Sequence, residues 1–355
     1  MKFLPVSYPF LLAAILTIFC WGPPAGAQLA ANNSQIWHLE GLGVDVDTVT
    51  EDRFGHLAAG DFNDDGYEDL AIGIPSHPLT GYVSGGAVAI LYGDPGTFWQ
   101  CCNPEYLTQD TEGVQDESEL VDRFGAAVAV GDFDGDGVDD LAVGVPGEDI
   151  GGVDGAGAVQ VFYGPDFDDD EVWTLGVLGR GLAAGDAFGE ELEVGDFDGN
   201  GYDDLAVGVS ARDTTSYQQA GAVQVIYGSE SGLRPQNNQF WSMTDVGVSG
   251  PETLSLLGLS LAAGDFDDDG FDDLAMSGRE TVEETGLIGH VYVLYGLGIG
   301  LAPSGKQVWT EGTVGVAGRS SSPSTNFGID LAAGDFDGDG TEDLGIGAYS
   351  TNLSD

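Results

Sequence analysis

Short apolar runs separated by Gly, Asp and Pro recur along the chain, and none of them keeps a clean helical period. Segments such as DLAVGV at 140–145 and AVQVFYG at 158–164 are rich in Val, Ala and aromatic residues and end at turn-forming residues. Runs of this length and composition are typical of β-strands. The pattern therefore predicts an all-β protein made of short strands.

One block of the form FGxxLAxGDF followed by DLAxG occurs five times, and its copies lie roughly 70 residues apart. A VxVxYG-like segment follows the first four copies, at 87–93, 158–164, 222–228 and 291–296. A Trp segment comes next, at Trp99, Trp173, Trp241 and Trp309. Each repeat is therefore predicted to form four strands: LAxGDF, DLAxG, VxVxYG and the Trp segment.

A single four-stranded unit would expose an apolar face and two edges, whereas radial stacking of several units buries the faces. The sequence therefore predicts a β-propeller over residues 28–355; a β-solenoid, the alternative, has much shorter repeats. The fifth repeat stops before a third strand, so either the ring is incomplete or the chain continues, and we favour the second. Trp37 matches the outer-strand segments and is predicted to pair on the last blade.

In the first repeat Phe54 lies seven residues before Asp61, whereas the distance between the equivalent positions is eight residues in the other four repeats. One residue fewer reverses the facing of alternate side chains unless the start of the strand adjusts. A local irregularity is therefore expected near His56 and Leu57.

Each repeat carries a nine-residue loop, Asp-x-Asp-x-Asp-Gly-x-x-Asp, with Asn replacing one Asp in two copies. Positions one, three, five, seven and nine are the candidate calcium ligands, with position seven contributing its backbone carbonyl. They are Asp61, Asn63, Asp65, Tyr67 and Asp69; Asp132, Asp134, Asp136, Val138 and Asp140; Asp196, Asp198, Asn200, Tyr202 and Asp204; Asp265, Asp267, Asp269, Phe271 and Asp273; and Asp335, Asp337, Asp339, Thr341 and Asp343.

Calcium takes six to eight oxygen ligands, and short carboxylates at alternate positions can surround one ion while the chain turns. Gly at position six permits the sharp turn. An EF-hand would need Glu at position twelve and flanking helices, but position twelve is apolar in every copy. Asp-Gly hairpin turns without metal are the other alternative. Five matching copies favour about one structural Ca²⁺ per repeat.

The formal net charge is -51, with only 9 Lys and Arg residues. Such a chain repels nucleic acid and anionic lipid, so neither is a predicted partner. It attracts cations, although general solubility or adaptation to salt would also explain part of the charge.

Residues 1–27 have the features of a secretory signal peptide: Lys2, an apolar run at 10–20, and Ala25-Gly26-Ala27 ahead of the cleavage point. No later run is long and apolar enough to be a transmembrane segment. The mature chain is therefore predicted to be secreted, extracellular or at the cell surface. Cys101 and Cys102 are adjacent there, and can form a strained disulfide, pair with another chain or remain free thiols.

A Phe-Gly pair opens four of the five blocks, and Leu257-Gly258 takes its place in the fourth. Gly-x-Pro elements follow at 73–75 and 144–146. With the Asp loops, these motifs resemble the FG-GAP repeats of integrin α-subunit heads over residues 35–350. The resemblance implies a propeller of seven blades when complete, calcium in the hairpin loops, and adhesion or binding of an extracellular protein or glycan.

No nucleophile elbow, zinc-protease motif or phosphate loop occurs in the chain. His38, His56, His77 and His290 lie in different segments, and the paired acids fall inside the Asp loops. A non-enzymatic binding or adhesion module is therefore predicted. The alternative is a catalytic or non-catalytic propeller domain of a secreted hydrolase or lyase, which polar groups in the central channel would favour.

In a four-stranded antiparallel blade, the loops after strands two and four emerge at the end opposite the Asp loops. These connections vary in length and carry Tyr82, Arg212, Tyr217 and Arg279. Tyr and Arg are enriched in binding interfaces. This end is therefore the predicted partner site, unless the segments are only solvated connectors.

Overall fold

The structure is a computed structural model, and it describes residues 55–77, 85–93, 104–165, 167, 170–213, 219–248, 254–282, 286–313 and 326–348. The predicted signal peptide, Trp37, Cys101 and Cys102 lie outside these residues. Every regular element within them is a β-strand. The predicted all-β class is confirmed.

Consecutive strands form antiparallel sheets, which are the blades. Blade one contains β1 (Leu57–Gly60), β2 (Asp69–Ile74), β3 (Ala87–Leu91) and β4 (Glu105–Leu107). Blade two contains β5 (Val128–Gly131), β6 (Asp140–Val145), β7 (Ala158–Phe162) and β8 (Asp170–Trp173). Blade three contains β9 (Leu192–Gly195), β10 (Asp204–Gly208), β11 (Ala222–Tyr227) and β12 (Arg234–Ser242). Blade four contains β13 (Leu261–Gly264), β14 (Asp273–Val282), β15 (Gly286–Tyr295) and β16 (Ala302–Thr310). Blade five contains β17 (Leu331–Gly334) and β18 (Asp343–Ile346).

The same register joins the first two strands of every blade. In blade two Val128 faces Val143 and Gly131 faces Asp140, and in blade three Gly195 likewise faces Asp204. Each Asp loop is therefore the connection of a β-hairpin, with its first residue just after one strand and its ninth residue at the start of the next. The predicted hairpin location of the loops is confirmed.

The outermost strand described in blade one contains no Trp. Its β4 runs over 105–107, so Leu107 faces Val88, the place that Trp173 takes opposite Val159 in blade two. Leu107 is buried in blade one, as Trp173 is in blade two. Trp99, the predicted outer-strand residue, lies outside the described residues; within them an aliphatic side chain, Leu107, fills the position.

The apolar core lies between successive sheets. Phe62 of blade one packs with Phe124 and Leu141 of blade two, and Phe133 of blade two packs with Leu205 of blade three. Clusters of the same kind join blades three and four and blades four and five. Because blades two, three and four each pack against a neighbour on both faces, the blades stack around an axis as predicted for a propeller.

The Phe-Gly element is the joint between neighbouring blades. Gly86 at the start of β3 forms a parallel bridge to Phe124 of the next blade, and the Phe124 amide donates to the Gly85 carbonyl over 2.9 Å. A Cβ at Gly86 would overlap the Phe124 carbonyl. Phe124 is fully buried there. Glycine is required at this joint because two backbones approach within van der Waals contact.

The shortening of the first repeat is absorbed ahead of β1. Gly125 is followed by two residues before β5, and the second of them, Ala127, accepts from Gly144 N; only His56 separates Gly55 from β1, and His56 itself accepts from Gly73 N. Leu57 nevertheless faces Ile72 in the register of the other blades. The predicted irregularity near His56 is confirmed.

Candidate metal centres

The loops that join strands one and two, here called the Asp loops, cover 61–69, 132–140, 196–204, 265–273 and 335–343. Gly at position six has a left-handed φ in each, from 85° at Gly66 to 96° at Gly340. A side chain is strained in this conformation, so Gly is the residue that lets the loop reverse. No Cβ contact lies within 4 Å of these glycines, so backbone conformation and not crowding explains the choice.

Side-chain oxygens at positions one, three and five accept hydrogen bonds from the loop's own backbone. In the second loop Asp132 Oδ1 accepts from Asp136 N over 3.0 Å, and its Oδ2 accepts from Gly137 N over 3.0 Å. Asp136 Oδ1 accepts from Val138 N over 2.9 Å. The other four loops share the position-one bonds. The loops are therefore shaped by Asx turns that hold the carboxylates toward one centre.

Three carboxylates in each of four loops have oxygens within 4.8 Å of one another. These groups are Asp132, Asp134 and Asp136; Asp196, Asp198 and Asp204; Asp265, Asp267 and Asp269; and Asp335, Asp337 and Asp339. In the first loop Asn63 supplies an amide oxygen at position three, and Asp65 N donates to it over 3.0 Å. Oxygen-only groups of this kind suit a hard cation such as Ca²⁺.

Four repeats match the family model named FG-GAP repeat, over residues 55–91, 124–162, 188–226 and 257–294. This chain is an FG-GAP repeat protein. The fifth block, at 326–346, has the same hairpin and loop although the family model does not cover it.

The relatives of this chain include a phospholipase D and integrin alpha chains. Phosphatidylinositol-glycan-specific phospholipase D of Rattus norvegicus is 34% identical over 221 residues, which is 58% of this chain and 24% of the relative. Integrin alpha-PS2 of Drosophila melanogaster is 32% identical over 210 residues, 54% of this chain and 14% of the relative. Integrin alpha-7 of Rattus norvegicus is 35% identical over 177 residues, 47% and 13%. The chain thus spans about a quarter or less of each relative.

Position nine of each of the first four Asp loops bonds to the loop and to a residue just after the third strand. Asp140 Oδ2 accepts from Phe133 N over 2.9 Å, and its Oδ1 accepts from Gly164 N, just after β7, over 3.0 Å. Asp204 makes the equivalent pair with Phe197 N and Gly228 N. Only Asp204 also belongs to one of the carboxylate groups. Position nine thus ties the loop to the third strand, and its service as a metal ligand stays a prediction.

Burial raises the pKa of the position-nine carboxyl in the first four loops, and the neighbouring loop carboxylates raise it further, against the opposing effect of the two backbone donors. The pKa is about 6 for Asp69, about 7 for Asp140 and Asp273, and about 8 for Asp204. A bound cation would favour the charged form and reverse these shifts.

Position eight was missed by the sequence prediction, although an acid stands there in every repeat: Glu68, Asp139, Asp203, Asp272 and Glu342. Asp203 Oδ2 accepts from Asp132 N of the preceding blade over 2.9 Å, and Asp203 N donates to Asp132 O over 3.1 Å. Asp139 bonds to Asp61 in the same way. This position-eight contact links each Asp loop to the next one around the ring.

Position seven supplies a second link. The Tyr202 ring lies against Gly135 of the preceding loop, where a Cβ would come within 2.5 Å of it, and the Phe271 ring lies against Gly199. In the third loop Arg234 Nη2 also approaches Asp198 Oδ2 at 3.4 Å. The Tyr202 and Phe271 side chains therefore pack between loops, while a metal would use the backbone carbonyls at position seven.

Polar side chains lie at the inner end of the blades, away from the Asp loops. His56 Nε2 of blade one is 3.7 Å from Glu191 Oε2 of blade three, and Ser260 Oγ accepts from Leu331 N over 3.1 Å. Burial lowers the pKa of His56, with a smaller opposing effect of the Asp330 charge. It raises the pKa of Glu191 to about 8. Alignment of the five blocks could have identified His56 and Glu191 as unusual, because blade two has Ala127 at the same register position.

Glu193 is the one acid at its register position in β9, where the equivalent residues are Ala58, Ala129, Ala262 and Ala332. Burial raises its pKa to about 7, while Ala263 N and Val194 N donate to it. The folded protein thus holds this proton more tightly than the unfolded chain, so stability falls as pH rises from about 4 through 7. We expect Glu193→Gln to raise stability at pH 8 by about 1–2 kcal/mol.

The measurement is urea unfolding of both proteins at pH 5 and pH 8. The amide oxygen of Gln still accepts from both backbone donors, so the two proteins should differ little at pH 5. A Glu193→Gln protein that gains as much at pH 5 as at pH 8 would contradict the assigned titration.

The end opposite the Asp loops, here called the opposite face, combines cations with exposed apolar side chains. Arg180 and Arg212 both lie over the Phe240 ring, at 4.9 and 5.7 Å from its centroid. Arg212 also pairs with the buried Asp186. Val177 is 54% exposed on the same connection as Arg180. Tyr82 and Tyr217 lie outside the described residues.

No helix in the described ranges is long and apolar enough to cross a membrane.

Proposed function

We propose that this FG-GAP propeller is a secreted or cell-surface calcium-binding module that recognises an extracellular protein or glycan, as in adhesion. The observation that supports it most directly is the repetition of one converging oxygen group on the same side of successive blades. Integrin α chains among the relatives agree with a recognition role.

Calcium is proposed to be structural, at about one ion per repeat. Three carboxylates within 4.8 Å repel one another unless a cation lies between them. The loops already have their turn conformation through their own hydrogen bonds, so the ion would bind a preformed site. An ion that binds the folded state alone stabilises it by mass action.

Ligand binding is proposed for the opposite face. The loops there rest on rigid sheets, which is where recognition sites usually occur. Arg180 is held by stacking on Phe240 and comes three residues after exposed Val177 in the same connection, so a cationic and apolar surface stands out on a strongly acidic protein. Aromatic and Arg side chains of this kind contribute most to interface energies.

We expect Arg180→Ala and Tyr217→Ala to weaken ligand binding by about tenfold or more, because each removes an interface side chain. Binding is measured by surface plasmon resonance against a panel of immobilised glycans and extracellular-matrix proteins. Tyr67→Ala is the matched control, since Tyr67 is an exposed Tyr on an Asp loop. Equal losses in all three variants, or a loss in Tyr67→Ala alone, would place the partner elsewhere.

A second candidate is a propeller domain of a larger secreted hydrolase or lyase. It is favoured by the phospholipase D relatives and by the inner group of His56 and Glu191. Hydrolysis of a phosphatidylinositol-glycan-anchored reporter by the purified chain, abolished in His56→Ala, would support this candidate over the first.

A further inference from the structure

Blade two buries a second oxygen-rich group, on the opposite face and away from the Asp loops. Gln109, Ser118 and Asp122 come from the connection between β4 and β5, and Glu148 follows β6. Their exposed fractions are 2%, 4%, 1% and 3%. Acidic and amide side chains are seldom this buried unless their polar atoms have partners.

Short contacts connect Gln109, Glu148 and Asp122. Gln109 Nε2 donates to Glu148 Oε2 over 2.7 Å. Gly147 N, next to Glu148, donates to Asp122 O over 3.0 Å, and Glu119 N donates to Asp122 Oδ2. The backbone at Asp122 therefore lies beside the backbone at Glu148, and the Gln109 amide bonds to the Glu148 side chain.

Three oxygens of this group have no hydrogen-bond partner among the described residues: Gln109 Oε1, Ser118 Oγ and Asp122 Oδ1. Each is shielded from solvent. A buried acceptor left without a partner costs about 1–3 kcal/mol, and more if it is charged. One of these atoms belongs to Asp122 itself, and another belongs to Gln109, which bonds to Glu148, so a bound cation would satisfy oxygens that lie at the two buried carboxyls.

The charged side chains that surround this group are acidic. Asp116 and Glu119 lie close enough to interact electrostatically with both Asp122 and Glu148. The adjacent Arg123 extends toward Glu190 of blade three, with Nη1 3.9 Å from Oε1. Within the described ranges no Lys, Arg or His forms an ion pair with these four acids.

In blade three an arginine side chain neutralises the buried carboxylate at the equivalent position. Glu148 O accepts from Gly157 N over 3.0 Å, and Arg212 O accepts from Gly221 N over 3.1 Å, so Arg212 stands where Glu148 stands in blade two. Asp186 correspondingly takes the place of Asp122, and Arg212 pairs with it. Blade two has exchanged that cation for a carboxylate while keeping the buried Asp.

We propose that a divalent cation occupies this position in blade two, bound by the Asp122 and Glu148 carboxylates with the Ser118 hydroxyl and the Gln109 amide oxygen. Every donor is oxygen, which suits Ca²⁺ better than a transition metal. The ion neutralises buried Asp122 in blade two, as the Arg212 guanidinium neutralises buried Asp186 in blade three. This inference is independent of the Asp loops and of the proposed recognition function.

The test counts bound calcium by atomic emission in purified wild-type protein and in Glu148→Arg, after equilibration with excess Ca²⁺ and gel filtration. Glu148→Arg recreates the ion pair of blade three, so it should fold, and we expect it to hold one Ca²⁺ fewer than the wild type. Asp134→Ala, which alters an Asp loop, should lose a different ion, and the double variant should lose two.

Melting in excess chelator gives a second expected result. Without calcium, Glu148→Arg should melt at a higher temperature than the wild type, because its buried Asp122 then has a cation. The gain should disappear or reverse in excess Ca²⁺. A Glu148→Arg protein with the same calcium count as the wild type would overturn the proposal, since the group would then hold protons and no ion.

If Glu148→Arg does not fold, two other experiments test the proposal: a calcium titration of Glu148→Gln and a terbium soak of wild-type crystals. Glu148→Gln removes one charge with little change of shape and should weaken the extra site at least tenfold in a calcium titration. Terbium soaked into wild-type crystals should give an anomalous peak among Ser118, Asp122 and Glu148. An unchanged titration, or a map with peaks only in the Asp loops, would also overturn the proposal.

Discussion

Chelation of calcium is expected to lower the melting temperature by more than about 10 °C. An ion at one hundred times its dissociation constant stabilises the folded state by about 2.7 kcal/mol per site, and 1 kcal/mol moves the melting temperature of a large domain by about 2–4 °C. Several loops act together here because the position-eight contacts join them. Differential scanning calorimetry in EDTA, in Ca²⁺ and in Mg²⁺ measures the effect.

Magnesium should restore little of the loss, because it requires tighter octahedral geometry than these loops offer. Within one loop, Asp134→Ala should lower the melting temperature in calcium by a few degrees. Asp134→Asn should lower it less, since Asn63 stands at that position in the first loop. The same melting curve in EDTA and in Ca²⁺, with no calcium found in the protein, would exclude structural calcium.

Asp204→Ala is expected to destabilise the protein by about 3–5 kcal/mol, because it leaves two buried backbone donors without an acceptor. Those donors are Phe197 N at 2.9 Å and Gly228 N at 2.8 Å, and Asp204 itself is fully buried. The loss should be present in EDTA as well as in calcium, because it comes from backbone hydrogen bonding. Urea unfolding in both conditions measures it.

Asp267→Ala is the matched control, since Asp267 is an exposed loop aspartate at position three. It should cost less than about 1 kcal/mol in EDTA, as is usual for an exposed surface change. If Asp204→Ala were no more costly than Asp267→Ala in EDTA, position nine would have to be a metal ligand only, with no role in the hairpin.

Local patterns in the sequence were sufficient for the architecture. The Asp loops are periodic, and a Gly at position six with flanking apolar runs allows one kind of hairpin, so strands one and two could be placed almost to the residue. In blade one, the outer strand that the structure describes has Leu107 where blade two has Trp173, and a search for Trp does not find it. Burial at that position requires a large apolar side chain, and Leu107 satisfies it as Trp173 does.

Contacts between repeats were beyond the sequence prediction. The acid at position eight repeats as faithfully as the proposed ligands, but only the packed ring shows that its carboxylate bonds to the preceding blade. Position nine was grouped with the ligands by residue type, whereas its oxygens bond to backbone amides. Glu148 and Arg212 share one position with opposite charge, and their meaning depends on Asp122 and Asp186, which are distant in sequence.

The side-chain bond at position eight also has a direction. Asp139, Asp203 and Asp272 each hold the loop of the blade before them, through the amides of Asp61, Asp132 and Asp196. The reverse bond is made by the backbone, because the amide at position eight donates to the carbonyl at position one of the blade before it. When a blade detaches under tension, the blade before it therefore loses the acceptor for its position-one amide, and the blade after it loses the acceptor for its position-eight amide. Mechanical unfolding should accordingly spread to both neighbours of the blade that detaches first, at the end of the ring that carries the Asp loops.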